Sequence, residues 1–358
     1  MKLEDLSICV IFGGQNSEHE ISSQSAAYII KSLREAKIQK IYQLGISKKG
    51  ECFLFTGDFN DIENGDWLND PDNQTVLFKL GKDGQGFFTA DDQRWHQVDI
   101  FFPVLHGKMG EDGTIQGLFE MLNAKFVGCG VLASAVSMDK VISRMLFDQE
   151  NIPQADWTWL NKSKYLSDKI SSMQKVEAKL PYPVFAKPAN AGSSVGISKA
   201  YNRDDLEKAL DLAFEHDSKV VIEKGIDGRE IELAVIEDPS LPESIFVSVA
   251  GEIIPDRDFY DYESKYLSNE SELIVPAELT ELEEKTLCSY AQRAFNVVDG
   301  KGLCRADFFI EKSTGKVLLN EINTLPGFTA ISMYPKLLQN SGYDQSKLIK
   351  TLLLSAIN

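Results

Sequence analysis

The chain has 358 residues, enough for two or three α/β lobes around a cleft and too many for one small domain. Its 43% hydrophobic and 25% charged residues are those of an ordinary globular protein and exclude a disordered or fibrous chain. The formal net charge of −17 excludes nucleic acid as a partner, because no basic surplus exists to neutralise a phosphate backbone; a nucleotide substrate needs only a local cluster of cations.

Along the chain, Met1 to Leu6 carries charges, and the apolar run Ile8 to Phe12 is too short for a signal or membrane segment. No uninterrupted apolar stretch elsewhere is long enough to span a bilayer, so no membrane partner and a cytoplasmic location are expected. The five cysteines (9, 52, 129, 288 and 304) are scattered and odd in number, without CxxC spacing, and predict neither a disulfide framework nor a zinc site. Ser7 to Phe12 reads as a buried strand and Gly13-Gly14 as a turn. Ser17 and Glu20 have capping-box spacing for a helix reaching about Leu33. Ile41 to Ile46 and the very apolar Val98 to Leu105 read as strands, Thr114 to Leu122 as a helix, and Lys125 to Val127 as a short strand. This alternation predicts a parallel sheet with ligand groups at the strands' C-terminal ends, in a lobe of roughly residues 1–130.

Beyond it, Met138 to Gln149 reads as a helix stopped by Pro153, and Lys164 to Leu180 as a second. Tyr182 to Lys187 reads as a strand entering the loop Pro188 to Gly196; the amphipathic helix Asp204 to Phe214 and the strand Lys219 to Glu223 follow. From Arg229 strands dominate the expectation: Glu230 to Ile236, Ser244 to Val249, Cys304 to Ile310 and Lys316 to Glu321. The polar, Tyr-rich segment Asp256 to Glu272 has little periodicity, and loops of that length are functional or disordered. A helix over Ser346 to Ile357 closes the chain.

Two local patterns carry chemistry. In Cys304-Arg305-Ala306-Asp307 and Asn320-Glu321-Ile322-Asn323, residues two apart point to one face of a strand. Ser313-Thr314-Gly315 suits a three-residue hairpin turn, and that register sets Asp307 opposite Glu321 and Arg305 opposite Asn323. Two carboxylates and an amide oxygen on rigid strands suit magnesium carrying phosphates. The same alternation also suits a solvated sheet face with cross-strand charge pairs. Lys187 ends its strand just before AGSSVG, whose small residues let backbone N–H groups approach an anion; the loop is also compatible with an ordinary flexible turn. It is not a Walker A loop, because GxxxxGK[ST] is absent. Lys140, at the start of its helix, is either a second phosphate cation or a surface lysine. The opening GGQNSE lacks GxGxxG spacing, which argues against dinucleotide binding. Glu18 is either a solvated acid favoured by the helix dipole or a ligand for a substrate amine.

Seven strings then occur in one order: GGQNSEHEIS from Gly13, LHGKMGEDGTIQG from Leu105, VLASAVSMDK from Val131, KPANAGSSVGIS from Lys187, FYDYESKYL from Phe259, RADF from Arg305 and NEINTLPG from Asn320. Together they resemble the D-alanine–D-alanine ligases from about residue 7 to residue 338. The resemblance implies an α/β, three-lobed ATP-grasp fold with a Rossmann-like N-terminal domain. Its divisions would be an N-terminal domain (1–130), a central subdomain (131–229) and a C-terminal subdomain (230–358) with a mobile loop at 256–272. It implies ATP-dependent joining of two D-alanines through an acyl phosphate for peptidoglycan precursors, two Mg²⁺ ions with Mn²⁺ as a possible substitute, and a homodimer.

Carried over by position, Asp307, Glu321 and Asn323 would hold the metal. Lys140, Lys187, Ser193 and Ser194 would touch the ATP phosphates, while Glu223, Lys224, Ile226 and Glu230 would surround the adenosine moiety. Glu18 would bind the first D-alanine's amine, with His106 nearby. Arg305 and the Gly327 N–H would form an oxyanion hole. Ser332, helped by Lys265, would take the second substrate's carboxylate beside Met333, and Tyr266 would reach toward Ser193 and Glu18. Related ligases that use D-lactate carry a loop histidine where this chain has Lys265-Tyr266, which favours an amine acceptor. Met333 replaces the leucine of some members, a volume-conserving change. Cys304 before Arg305 reads as a small buried residue. The alternatives are a D-alanine–D-serine or D-alanine–D-lactate ligase, another ATP-grasp carboxylate–amine ligase, and a non-catalytic nucleotide-binding regulator. A kinase is disfavoured by the absence of HRD- or DFG-type arrangements.

Overall fold

The computed structural model describes residues 2–81, 84–192, 195–254 and 272–358. Its strands form three sheets, each made from one consecutive stretch of chain. The first holds β1 (Ser7–Gly13), β2 (Lys40–Ile46), β3 (Cys52–Phe55), β4 (Gln74–Leu77), β5 (Gly86–Thr89), β6 (Trp95–Gln97) and β7 (Ile100–Val104), in the order 6-5-4-3-2-1-7. β1 is buried throughout and runs parallel to both β2 and β7. The expected all-parallel sheet ends there. Only residues 47–51 join β2 to β3, and a parallel return needs a crossover of a dozen or more residues, so β3 to β6 continue as antiparallel hairpins. The expected strand at Lys125 to Val127 is a single bridge, Phe126 to Phe101.

The helices in this part are α1 (His19–Glu35), α2 (Phe59–Asn64) and α3 (Thr114–Met121). The expected capping box of α1 does not form. Asn16 Oδ1 accepts the Glu18 N–H at 2.9 Å, Glu18 itself is the N-cap residue, and Glu20 turns away to Lys48. An Asx turn at Asn16 has captured the chain first.

The expected helix Met138 to Gln149 is α5 (Lys140–Gln149), and a helix that was not expected, α4 (Val131–Met138), precedes it. Asp139 between them is extended, and its carboxylate accepts the Val141 and Ile142 N–H groups as an N-cap, so Lys140 becomes the first residue of α5. Asp168, also an N-cap, divides the next expected helix into α6 (Lys162–Ser167) and α7 (Lys169–Glu177). With α8 (Arg203–His216), these cover a four-stranded antiparallel sheet of β8 (Trp157–Asn161), β9 (Val184–Pro188), β10 (Ser198–Ala200) and β11 (Lys219–Lys224), in the order 10-9-11-8. Tyr165, Met173, Leu206, Leu210, Val220 and Ile222 form the core between them.

The third sheet runs β15-β14-β12-β16-β17, with β13 also paired to β12. Its members are β12 (Gly228–Glu237), β13 (Ile245–Val247), β14 (Gly251–Ile254), β15 (Glu272–Ile274), β16 (Leu303–Glu311) and β17 (Val317–Asn323). Across it packs α9 (Glu281–Val297), which the strand-dominated expectation for this region leaves out. Its signal was present: Thr280 and Glu283 form a complete reciprocal capping box. Two last helices, α10 (Met333–Asn340) and α11 (Gln345–Ile357), return to the first sheet. Leu348, Ile349 and Leu352 join Ile29, Ile30 and Leu33 of α1 in one core with Tyr334 and Ile236, which ties the first and third sheets together. All five cysteines are free thiols, and Cys304 is fully buried as expected. No described helix is long and apolar enough to cross a membrane.

Candidate functional site

The β16–β17 hairpin sets Asp307 opposite Glu321 and Arg305 opposite Asn323, the register expected from the sequence, but it arrives there indirectly. Near the turn Ile310 pairs with Val317 and Phe308 with Leu319. A straight ladder from that start would bring Asn320 opposite Asp307. An irregularity between Asp307 and Phe308 drops Asn320 from the pairing and advances Glu321 into its place. A bulge of this kind re-aims side chains at the cost of one ladder position. On the other side of β16, Glu232 of β12 stands opposite Asp307, so three acids lie in line across three strands on one face.

Arg305 is the counter-ion of this row. Its Nε and Nη2 donate to the two Asp307 oxygens at 2.7 Å each, and Nε lies 3.1 Å from Glu232 Oε2. Such a bidentate pair fixes both side chains. It takes two of the roughly four lone-pair positions of the Asp307 carboxylate and leaves the rest for another partner. Among the described residues no three His, Cys, Asp or Glu side chains converge on one point; the oxygen groups that the hairpin register brings together are the Asp307 and Glu321 carboxylates and, one pair further on, the Asn323 amide. Hard oxygen donors held on strands fit a divalent cation that carries phosphates.

Opposite this face stand three cations from two elements. Lys140 Nζ donates to the Ala191 carbonyl at 2.9 Å and lies 3.4 Å from Glu321 Oε2. Lys187, at the end of β9, pairs with Glu223 of β11, and so does Arg144 of α5. All three of these last side chains are buried, with Lys187 8%, Glu223 4% and Arg144 2% exposed. Burial acts to raise the Glu223 pKa, but the positive charges of Lys187 and then Arg144 outweigh it and hold the carboxyl below its usual range.

Glu18 is buried against a third wall. A Cβ on Gly107 would fall 2.1 Å from Glu18 Oε2, and one on Gly192 would fall 3.5 Å from it, so the carboxylate sits between two glycine backbones. Asn16 holds the same loop by donating from Nδ2 to the carbonyls of His106 at 2.8 Å and Lys108 at 2.9 Å. His106 is buried between Ser25 Oγ (3.1 Å from Nε2) and the Leu325 carbonyl (3.2 Å from Nδ1), with Glu111 3.8 Å away. Burial disfavours its charged form, but Glu111 and then Glu18 prevail and raise its pKa. A histidine raised in the folded state contributes stability that is complete below about pH 6.5 and is lost as pH rises through the folded value. The melting temperature of the parent should therefore fall relative to His106→Gln as pH rises past neutrality; parallel curves from pH 6 to 9 would refute the charged histidine.

Gly327 and Ser332 are neighbours: a Cβ on Gly327 would lie 3.0 Å from Ser332 Oγ, which accepts the Thr329 N–H at 3.0 Å. Met333, next in line, packs its sulfur over Gly251, where a Cβ would stand 2.8 Å away. Glu230 lies two residues before Glu232 and so shares the acidic face. Lys224 does not join the cations: its ammonium goes to Glu311 at 3.3 Å, four residues beyond Asp307 along β16. Ile226 touches the start of β12 at Gly228. Ser193, Ser194, Lys265, Tyr266 and residues 256–271 of the expected loop lie outside the described residues.

The structure also brings in residues that the sequence patterns left without a place: Arg144, Glu232, Glu111, Ser25 and Asn16. Glu230-Ile231-Glu232 repeats the two-residue alternation of Arg305 and Asp307, a signal that could have found Glu232. Arg144 follows Lys140 by one helical turn, which places both on one face of α5. Nothing local marks Ser25, whose meeting with His106 depends on the packing of α1 against the loop after β7, while Glu111 lies in that same loop, five residues beyond His106.

Family models described as the N-terminus and C-terminus of D-ala D-ala ligase match residues 7–129 and 146–354. The D-alanine–D-alanine ligase of Acetivibrio thermocellus is 43% identical, over 98% of this chain and 95% of its own length. D-alanine–D-alanine ligase B of Clostridium tetani is 43% identical over 99% of this chain and 95% of its own. Among solved structures, the VanG D-Ala:D-Ser ligase of Enterococcus faecalis superposes with a TM-score of 0.88 at 35% identity, covering 98% of this chain and 99% of that one. The D-alanine–D-alanine ligase of Coxiella burnetii does so with a TM-score of 0.84 at 31% identity, covering 99% and 94%.

Proposed function

The chain belongs to the D-alanine–D-alanine ligase family, and on that premise we infer that it joins two D-alanines at the expense of ATP, supplying peptidoglycan precursors for the cell wall. It has the α/β ATP-grasp fold of that family, and it binds ATP and D-alanine as substrates with a divalent metal. The observation that carries the reading to particular residues is the 3.4 Å contact of Lys140 with Glu321, which joins the cation wall to the acidic face.

The chemistry explains the need for both. The first D-alanine's carboxylate must attack the γ-phosphate, and two unit charges about 4 Å apart repel by roughly 4 kcal/mol at an effective dielectric near 20. Lys140 and Lys187 offset that repulsion at the phosphates, and by the family resemblance Ser193 and Ser194 would bind the phosphates too. Glu223, Lys224, Ile226 and Glu230 hold the adenosine end. Asp307, Glu321 and Asn323 would hold two Mg²⁺ ions, with Mn²⁺ as a substitute, and the metal would supply charge neutralisation at the transferring phosphoryl group. Glu18, wedged against Gly107, takes the amine of the first D-alanine, with His106 nearby. The carboxylate oxygen bonds to the γ-phosphorus, ADP leaves, and an acyl phosphate remains. The amine of the second D-alanine, oriented by Ser332, Lys265 and Met333, then attacks the acyl carbon and phosphate leaves. Arg305 and the Gly327 N–H stabilise the oxyanion formed in that step. Tyr266, by the family resemblance, would help exclude water from the hydrolysable intermediate. Domains at 1–130, 131–229 and 230–358, a homodimer and a cytoplasmic location complete the proposal.

The decisive assay follows ADP release with ATP and Mg²⁺ while D-alanine, L-alanine, D-serine and D-lactate are added singly and in pairs, with products identified by mass. The expected result is D-alanine-dependent ADP formation with D-alanyl-D-alanine as main product. A dominant mixed product with D-serine would move the acceptor toward that of the Enterococcus faecalis neighbour. Nucleotide binding without D-alanine-dependent turnover would overturn the reading.

A further inference from the structure

Arg144 has no part in the chemistry above, yet the residue is only 2% exposed. A buried cation persists where an anion compensates it. Among the described residues Glu223 is the carboxylate paired with Arg144, through Oε2, while Lys187 pairs with Glu223 through Oε1. One carboxylate thus stands between two cations, and the trio carries a net charge of +1. Without Arg144 the Glu223–Lys187 pair would be neutral, and the lysine's charge would be consumed inside the wall. Water cannot screen that loss at this depth. The remaining Arg144 atoms argue against helix anchoring as its main role, because Nε and Nη1 are buried without a hydrogen-bond partner among the described residues. An apolar side chain would hold α5 against Val221 and Ala189, which already contact Val141, without that desolvation cost.

We propose that Arg144 is a positioning residue for the nucleotide phosphates: by neutralising Glu223 it leaves the Lys187 ammonium's charge available to ATP. Arginine suits this role because it stays protonated in a buried site and can satisfy one carboxylate oxygen while a lysine takes the other. The inference rests on Lys187 as a phosphate ligand. It adds that the ligand's charge is set one residue away, from a helix that also supplies Lys140.

Calorimetric binding of ATP, ADP, AMP and adenosine to the full chain tests it, together with steady-state kinetics. In Arg144→Met, ATP should bind about tenfold or more weakly, ADP less affected and adenosine within about twofold, because the loss scales with phosphate charge. KM for ATP should rise while KM for D-alanine stays within about twofold, and Arg144→Lys should recover most of the affinity. The sharpest readout is the Glu223→Gln background. With no anion left to neutralise, adding Arg144→Met should change ATP affinity by less than about twofold relative to Glu223→Gln alone. Equal losses for adenosine and ATP, or a full Arg144→Met effect in the Glu223→Gln background, would overturn the proposal and leave Arg144 a helix anchor. Should Arg144→Met fail to fold by circular dichroism, Arg144→Gln carries the same expectations. A parent protein without D-alanine-dependent ADP release would defeat the functional reading; normal parent turnover with phosphate-independent losses would defeat this inference alone.

Discussion

Glu321→Ala should abolish ligation while leaving the fold intact. Glu321 enters the site only because the β17 bulge advances it opposite Asp307, and its removal leaves Asp307, already engaged by Arg305, and one amide as the donors. A two-anion site reduced to one loses electrostatic stabilisation of about 3–4 kcal/mol at the transferring phosphoryl group, so kcat should fall by about 10³-fold. Stability should hardly move. The Lys140–Glu321 contact is partly exposed and worth about 0–1 kcal/mol, and the strand keeps its backbone pairing. ADP-release kinetics beside a thermal melt separate the two effects. A kcat within about tenfold of the parent, with the fold intact, would remove Glu321 from the catalytic face.

Gly107→Ala should be nearly as damaging, and through geometry instead of charge. Gly107 has φ +68°, and its missing Cβ is where Glu18 Oε2 comes within 2.1 Å. A methyl group there costs about 1–2 kcal/mol in the left-handed backbone alone and cannot coexist with the carboxylate in its present position. Glu18 would have to turn out of its slot between Gly107 and Gly192, leaving a substrate amine without its anion. The expected result is a loss of about 100-fold or more in kcat/KM for the first D-alanine and about 2–4 kcal/mol of stability. Gly117→Ala is the matched control. That glycine lies within α3 with nothing within 4 Å of an added Cβ, so alanine there should be neutral or stabilise by up to about 1 kcal/mol. If Gly107→Ala keeps parental kcat/KM, the close approach of Glu18 has no functional meaning.

Much of the frame was determined by the sequence alone, because the signals are local. The apolar run of β1, the two-residue alternation in β16 and β17, and Lys187 at a strand end each follow from side-chain period and composition within a few residues. The same local rules misled where two local devices competed or where chain length ruled. Asn16 displaced the Ser17–Glu20 capping box, Asp168 divided a helix that looked continuous, and a short connection after β2 turned the sheet antiparallel. Tertiary structure alone decided the rest. The expected opposition of Asp307 and Glu321 is real, but a bulge at Asn320, and not the turn, produces it. Arg144 gained its meaning only when α5 docked on β11 and met Glu223, 79 residues away. His106 likewise met Ser25 and the Leu325 carbonyl across 81 and 219 residues. Such contacts join groups whose separation along the chain carries no periodic signal; they exist because burying a charge or an imidazole requires a partner, and only the packed fold determines which one is within reach.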